Sequence, residues 1–330
     1  MVQLAILLTK NYRLLSVAAI LDLFETVNQE RTKNDEQPYF QLNLLYSGAY
    51  SNEVVPFEKY HPKPLKEAGK QDLILVPAFD TKDLRASVNS NMAFLPFLND
   101  QYHQGAEVGS FCTGAFLLAA SGLLDGKTAT THIHCAQAFS DAFPHVILKE
   151  DAVVTHEERL YTSGGATSSF HLMLQLIQRY CGKEVAVKMA KVFAIDMNRE
   201  QQRYFGTFSP LQDHGDDLVT KTQRCIENAY SDPGTIEQIL HDIPASRRNI
   251  VRRFKLATGT TLIEYLQKTR VEAAKKMLEQ TNKSIMEIML DTGYNDLKTF
   301  RQLFKKSSGM TPKEYRDKFK LRVVQEEKVA

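Results

Sequence analysis

Cys112 lies in a segment whose pattern is typical of nucleophilic chemistry. The residues VGSFCTG, 108–114, join a strand-like apolar run to a helix-like one, and a nucleophile elbow has this order of elements. The start of a helix lowers the pKa of a nearby thiol and attracts anions. The segment therefore predicts either a reactive thiol or an anion-binding turn. A hydrolase would also need a base to activate the thiol and a third group to orient that base.

The chain around this turn resembles a known superfamily. GSFCTGAFLLAASGLLDGKTATTH, residues 109–132, is similar to the PfpI-like branch of the class I glutamine amidotransferase superfamily, and the resemblance implies that His132 lies near Cys112. Where the peptidase-like members have histidine directly after the cysteine, this chain has Thr113. Where they place a carboxylate at the start of the first helix, it has Ser16. The resemblance therefore implies a domain without catalytic residues, and we expect no enzyme activity.

We interpret the turn as the floor of a pocket for a small molecule, because backbone amides at helix starts can hold a carboxylate. Two alternatives stay open, a hydrolase or amidase centred on Cys112 and a redox sensor in which that thiol oxidises. Core packing is the commoner role for the two phenylalanines among the candidates. The candidate pocket residues are Cys112, Thr113, His132, Phe79, Phe111, Gly165 and His171.

The elements that must position this turn are predicted by the apolar pattern up to about Tyr180. Strand-like and helix-like runs alternate there, as in a parallel sheet covered on both faces. We predict a three-layer α/β/α sandwich with a parallel sheet, flavodoxin-like, over residues 1–204. The predicted strands are Val2–Thr9, Phe40–Tyr46, Asp72–Val76, Glu107–Ser110 and Leu160–Thr162, and the predicted helices are Leu14–Asn28, Asn91–Gln104, Thr113–Ser121 and Thr167–Tyr180.

The remainder of the chain has a different composition. Residues 205–216 are rich in Gly, Pro and Asp without a period, so we predict a linker there. Residues 217–330 are predicted to form an all-helical domain. From residue 218 onward 22 Lys and Arg stand against 14 Asp and Glu, and such a local excess of positive charge suits a polyanion.

Composition also excludes several classes of protein. The apolar runs are too short for a membrane span. The four cysteines lie far apart without CxxC spacing, which argues against a metal site or a disulfide framework. We therefore expect a cytoplasmic protein that holds no metal and no cofactor.

The helical domain repeats itself. Thr235-Ile236 recurs 49 residues later as Ser284-Ile285, and past the turn the offset is 50 residues. Each copy has a short apolar helix, a turn containing Pro244 or Gly293, and a basic helix. This order predicts two helix-turn-helix units.

In each basic helix two apolar residues four positions apart share one face, which we expect to point inward. The opposite face is rich in groups that can donate to guanine or pair with adenine in the major groove. Two such helices on one rigid unit could enter successive grooves about 34 Å apart. The inward residues are Ile250, Phe254, Phe300 and Phe304, and the predicted DNA-contacting residues are Arg247, Arg248, Arg252, Lys255, Leu297, Lys298, Arg301 and Gln302.

Three stretches of this domain look like the AraC/XylS family: ASRRNIVRRF, GTTLIEYLQKTRVEAAKKML and GYNDLKTFRQLFKKSSGMTPKEYRDKF. The resemblance implies a transcription regulator that binds a double-stranded DNA operator. Leu240 and Met289 stand where the family usually has alanine, so we expect slightly splayed helices. Pro244 replaces the usual turn glycine, so that bend must avoid positive φ.

A PfpI-like domain followed by an AraC-type domain is the GlxA-type layout. That resemblance implies a homodimer whose first domain senses an amino-acid-like or amine metabolite. It also implies an activator that works with RNA polymerase.

Overall fold

The computed structural model describes residues 1–33, 35–48, 60–80, 82–165, 167–197, 202, 208, 210 and 214–320. The chain divides into two compact units, Met1–Gln202 and Arg203–Ala330. Much of the predicted linker, residues 205–216, lies outside the described residues. In the described part of the chain no helix combines the length and apolar character needed to cross a bilayer.

The first unit is built on a seven-stranded sheet in the order β3-β2-β1-β4-β5-β9-β8. All neighbouring strands are parallel except β8 and β9. A separate parallel pair is formed by β6 and β7. The strands are β1 (Val2–Leu8), β2 (Phe40–Tyr46), β3 (Lys63–Pro64), β4 (Leu73–Val76), β5 (Glu107–Phe111), β6 (Thr128–Ala129), β7 (Ile147–Leu148), β8 (Val154–Glu157) and β9 (Leu160–Ser163).

Helices cover both faces of this sheet. Successive residues of β1 point to opposite faces: Leu4 and Ile6 join one buried cluster, and Ala5 and Leu7 join the other. The three-layer sandwich is thereby confirmed, and it explains why the β1 sequence is apolar throughout. The helices are α1 (Leu14–Thr32), α2 (Leu84–Asn89), α3 (Leu95–His103), α4 (Gly114–Ala120), α5 (Ala136–Ala142), α6 (Ser168–Cys181) and α7 (Lys183–Val192).

One edge of the sheet departs from the predicted parallel arrangement. Only Glu158 and Arg159 separate β8 from β9, and two residues can join antiparallel strands but not parallel ones. Glu158 takes a positive φ of 55° in this hairpin. The sheet is therefore mixed, with one antiparallel edge strand.

The second unit is entirely helical in its described residues and contains two buried clusters. The long helix between the two helix-turn-helix units contributes to both, with Tyr265 and Leu266 in the first cluster and Ala274 and Leu278 in the second. One helix thus ties the two units together. The helices are α8 (Asp217–Ala229), α9 (Ile236–Ile239), α10 (Arg247–Thr258), α11 (Leu262–Gln280), α12 (Ile285–Asp291), α13 (Leu297–Ser308) and α14 (Pro312–Phe319).

The repeat seen in the sequence extends to the helix ends. Thr235 and Ser284 cap α9 and α12 with the same reciprocal side-chain and backbone bonds. Gly259 and Gly309 end α10 and α13 in the left-handed conformation. Because equivalent residues stop and start equivalent helices, both copies fold as the same supersecondary unit.

The turn from β5 into α4 requires glycine at position 114. A Cβ atom there would lie 2.5 Å from the carbonyl oxygen of Val76 and 2.8 Å from that of Pro77. Both contacts are with backbone, so the end of β4 would have to move. Gly114 therefore sets how closely α4 approaches the sheet.

We expect Gly114→Ala to lower the free energy of unfolding by about 1–3 kcal/mol, the usual range for overpacking a tight contact. Urea denaturation followed by circular dichroism measures this change. Gly69→Ala is the matched control, because a Cβ atom at Gly69 meets nothing within 4 Å. Equal stability of the two variants would contradict the close-approach argument.

Candidate functional site

Cys112 occupies a strained turn directly after β5, as the sequence predicts. Its φ is 54°, a left-handed value that costs a residue other than glycine about 1–3 kcal/mol. The Cys112 amide donates to the carbonyl of Ser163 at the end of β9 (2.9 Å). The neighbouring strand thus holds the strained residue in place.

The Cys112 thiol is not activated. Only 5% of the residue is exposed, and this burial raises the pKa of the thiol to about 12 despite an opposing hydrogen bond from the Thr113 amide. The lowered pKa expected from a helix start is therefore wrong. Desolvation of the thiolate outweighs the favourable position.

Thr113 is used to hold two loops together. Its hydroxyl donates to the carbonyl of Phe79 (2.7 Å) and accepts from the Phe79 amide (2.9 Å). The adjacent Ala78 amide donates to the Ser16 hydroxyl (3.0 Å), and the Ala78 carbonyl accepts from the Arg13 amide (2.7 Å). This 78–79 clamp joins the elbow to the start of α1.

A cavity of about 540 Å³ lies between the elbow and the starts of α1 and α6. The volume is within the range of small-molecule sites. Among the lining residues that the structure describes, Arg13 carries the one permanent charge. The cavity is lined by Arg13, Leu14, Leu15, Ser16, Ala19, Ala78, Cys112, His132, His134, Cys135, Ser169 and Phe170.

His132 faces this cavity and is half-buried. Burial lowers its pKa, and the neighbouring His134 and Arg13 lower it further. Its Nδ1 accepts a hydrogen bond from the His134 amide (3.2 Å), which assigns the proton of the neutral ring to Nε2. His132 therefore offers the cavity a hydrogen-bond donor.

Cys112 and His132 thus line the cavity, whereas five other predicted pocket residues lie outside its lining. Thr113 is engaged in the 78–79 clamp, and Phe79 and Phe111 are fully buried in the two cores on opposite faces of the sheet. His171 contacts the Asp196 carbonyl through Nε2 (2.8 Å). The Gly165 amide donates to the side chain of Gln202.

Gln202, which sequence reasoning missed, is the last residue of the first compact unit and is 2% exposed. Its Oε1 accepts from the Gly165 amide (2.7 Å), and its Nε2 donates to the Ala152 carbonyl (2.7 Å) and the Thr131 carbonyl (3.1 Å). Thr131 precedes the cavity residue His132. No motif surrounds Gln202, so its sequence carries no signal of this role.

The two basic helices of the second unit bury the predicted faces. Ile250 and Phe254 of α10 are 4% and 0% exposed, and Phe300 and Phe304 of α13 are both 0% exposed. On the other side most of the predicted DNA-contacting side chains are exposed. These exposed residues are Arg247, Arg248, Arg252, Lys255, Lys298, Arg301 and Gln302.

Some of these side chains already have partners. Arg247 forms an ion pair with Glu237 of α9 (2.6 Å), and the Lys255 ammonium donates to the Gly259 carbonyl (2.6 Å). Leu297 is half-buried against the second core instead of facing outward. By contrast, Arg252 and Arg301 form no hydrogen bond or ion pair with any described residue.

Arg253 differs from its basic neighbours because it faces α8. Its guanidinium makes two bonds to the carboxylate of Asp216 (2.8 and 2.7 Å), and these bonds lower the pKa of that carboxyl group. Asp216 in turn caps α8 by accepting from the Leu218 and Val219 amides. Arg253 therefore stabilises the domain and does not belong to its outward face.

Arg270, also missed from the sequence, joins the two helix-turn-helix units. It is 8% exposed and donates to the carbonyls of Tyr230 (2.8 Å) and Asp232 (2.6 Å). Its guanidinium lies 5.3 Å from the ring centre of Tyr294. A charged residue at the apolar spacing of Leu266 and Ala274 was the available signal.

The turns of the two helix-turn-helix units differ in backbone conformation. Gly293 has a φ of +77°, whereas Pro244 is not among the described residues with positive φ, as the sequence predicts. Leu240 and Met289 are buried at equivalent positions. The expected splay of the helices stays a prediction.

Comparison with known proteins gives two family matches. Residues 241–318 match the helix-turn-helix domain family, and residues 64–179 match the DJ-1/PfpI family. The first unit is thus a DJ-1-type α/β domain and the second is a helix-turn-helix domain. In this combination the chain is similar to AraC-family proteins with an N-terminal DJ-1/PfpI domain.

Three curated transcriptional regulators are similar to this chain over about two thirds of its length or more. The HTH-type transcriptional regulator GbdR of Pseudomonas aeruginosa is 29% identical over 67% of this chain and 60% of its own length. CdhR of the same species is 27% identical over 77% of this chain and 74% of its length. GlxA of Rhizobium meliloti is 27% identical over 63% and 64%. This chain therefore spans less than two thirds of GbdR.

The raised pKa of Cys112 predicts slow alkylation. A thiol of pKa about 12 has about a thousandfold less thiolate at neutral pH than an ordinary cysteine. We expect iodoacetamide to label Cys112 correspondingly slowly at pH 7.5, with a rate that rises up to pH 10 without a plateau. Mass spectrometry of digested protein measures the rate at each cysteine.

The same chain unfolded in guanidinium chloride provides the control, in which Cys112 should react as a free thiol. Rapid labelling of folded protein at neutral pH would show an activated thiol and revive the hydrolase interpretation.

Proposed function

We propose that this protein is a transcription regulator that binds a double-stranded DNA operator in a sequence-specific manner. The observation that carries the proposal is the arrangement of α10 and α13. Each helix buries two apolar side chains and exposes arginine or lysine, and α11 links both into one unit. The curated relatives, named as transcriptional regulators, support the same function.

Arg248 and Arg252 of α10, with Lys298, Arg301 and Gln302 of α13, are our candidates for base contacts. Arginine and lysine donate to guanine O6 and N7, and glutamine pairs with adenine. Residues with partners inside the protein, such as Arg247, are better suited to phosphate contacts, which position the protein without reading sequence.

Substitutions in the two helices test this assignment. We expect Arg252→Ala and Lys298→Ala each to weaken binding to the operator by about 1–3 kcal/mol, because each would remove one base contact. The operator is first obtained by capturing genomic fragments with the wild-type protein. Fluorescence anisotropy on a labelled duplex then measures affinity.

Arg85→Ala is the matched control, since Arg85 is an exposed arginine on α2 of the other unit. Wild-type affinity in both the Arg252 and Lys298 variants would refute the recognition-helix assignment.

We further propose that the first unit senses a small molecule in the cavity beside Cys112. The cavity volume and its mixture of apolar walls with a few polar groups support this role. The buried, high-pKa thiol argues against the hydrolase and redox-sensor alternatives, since both need an accessible thiolate. Homodimerisation and activation through RNA polymerase remain part of the proposal by resemblance.

Gln202 provides a physical route from the cavity to the rest of the chain. Its side chain bonds to Gly165 and Thr131, which adjoin the cavity residue His132, and the chain continues from Gln202 into the second unit. An occupant that shifts His132 would change these bonds. We therefore assign Gln202 the coupling between cavity and DNA-binding unit.

A double-mutant cycle tests this coupling without knowledge of the ligand. Ala19→Trp places a large side chain in the cavity that Ala19 lines, and we expect it to change operator affinity at least fivefold. In the Gln202→Ala background the same substitution should have no effect, because the bonds that transmit it are gone. Anisotropy titrations of all four proteins give the interaction energy.

Ala138→Trp, at an exposed position of α5 outside the cavity, is the control and should leave affinity unchanged. An equal effect of Ala19→Trp in both backgrounds would contradict the role of Gln202.

A further inference from the structure

The electrostatics of the cavity identify the class of molecule that it binds. Arg13 lines it, and among the lining residues that the structure describes there is no aspartate or glutamate. The Arg13 guanidinium forms no hydrogen bond or ion pair with any residue in the described ranges. Its charge acts on Cys135, another lining residue. Burial raises the pKa of the Cys135 thiol, and Arg13 opposes that rise.

Two long helices begin at the cavity wall without the groups that usually neutralise a helix start. α1 and α6 have no side-chain cap bond and no acidic residue in the first turn. The Ser16 and Ser168 amides already donate to the carbonyls of Arg13 (2.9 Å) and Gly165 (2.7 Å), so it is mainly the positive dipole ends of the two helices that favour an anion. The cavity residues Leu14 and Leu15 belong to the first turn of α1, and Ser169 and Phe170 belong to that of α6.

A buried serine whose hydroxyl has no partner among the described residues adds a second, independent sign of a ligand. Ser169 is 6% exposed and lines the cavity, yet its hydroxyl has no hydrogen-bond partner among the residues that the structure describes. The adjacent Ser168 hydroxyl is buried and also unpartnered. Buried polar groups are rarely left unpaired, so a ligand oxygen is the natural partner for Ser169.

The remaining wall is mostly apolar, and Ser16, His132 and His134 are its polar side chains. The apolar lining residues are Leu14, Leu15, Ala19, Ala78 and Phe170. The thiol of Cys112 is neutral at physiological pH, since burial raises its pKa to about 12. A cationic ligand would therefore meet Arg13 without an anionic side chain among the described lining residues to offset its charge. A molecule with an acidic head and an apolar body would match every part of this wall.

We infer that the cavity binds a small organic acid, with its carboxylate held by Arg13, Ser169 and the first turns of α1 and α6. The inference rests on the proposed sensing function and narrows it. Among the amino-acid-like and amine metabolites that the family resemblance implies, it favours those that carry a carboxylate, because Arg13 is the charged side chain among the described lining residues.

Isothermal titration of the full chain tests the inference with matched probes. Butanoate, hexanoate and 3-phenylpropanoate are each compared with the corresponding primary amide and primary amine. We expect at least one acid to bind at least tenfold more tightly than its amide, and no amine to bind better than its amide.

Arg13→Gln should remove the tenfold preference for the acid and leave amide affinity within about twofold. Arg13 is exposed, so this variant should fold. Ser169→Ala should weaken the acid severalfold, and Arg85→Gln is the control for loss of a positive charge elsewhere. Absence of acid binding at 10 mM, unchanged preference in Arg13→Gln, or preferential binding of an amine would each overturn the inference.

Adding the same probes to the operator titration separates this inference from the sensing function. If the acids bind through Arg13 and operator affinity is unchanged, the ligand class stands and the sensing role fails. If only the amines change operator affinity, sensing stands and the assigned ligand class is wrong.

Discussion

The geometry of the first unit depends on the 78–79 clamp. Thr113 holds both backbone groups of Phe79, while Ala78 binds Ser16 and the Arg13 backbone. The clamp thereby fixes the elbow after β5 relative to the start of α1, and these two elements form opposite walls of the cavity. In this chain Thr113, the residue after the cysteine, bonds to the backbone of Phe79. It is therefore not available to act as a base.

The same constraint explains why a strained elbow persists without an activated thiol. The left-handed backbone of Cys112 is held by the bond to Ser163, and burial of the residue raises the pKa of its thiol. An enzyme would need such strain to present a nucleophile. Here the strained turn forms part of the cavity wall. The positive charge at the cavity comes from Arg13 and from the starts of α1 and α6.

The sequence was sufficient to predict the parts of the fold that rest on long periodic patterns. The apolar runs of β1 and β2 and the repeat around Phe254 and Phe304 all lie where expected. Strands of two residues, such as β6, have no detectable period. The pKa of Cys112 was predicted in the wrong direction because position at a helix start was visible in the sequence, whereas burial was not.

The cavity itself depends on residues far apart in the chain. Arg13, Ser169 and Gln202 belong to no motif, and the order of strands in the sheet brings their segments together. The family resemblance pointed to Cys112 and His132, and both residues line the cavity. The resemblance could not identify the positive charge of Arg13, because that charge depends on this chain's own residues.

The buried Arg270 has a consequence for the spacing of operator sequences. Its guanidinium binds the segment before α9 and lies 5.3 Å from the ring centre of Tyr294, in the turn before α13, and these contacts oppose independent rotation of the two helix-turn-helix units. If the protein reads DNA as proposed, its half-sites would keep a separation near one helical repeat, about 10 base pairs. Five inserted base pairs would rotate one half-site to the far side of the duplex, out of reach of a protein that cannot twist to follow it.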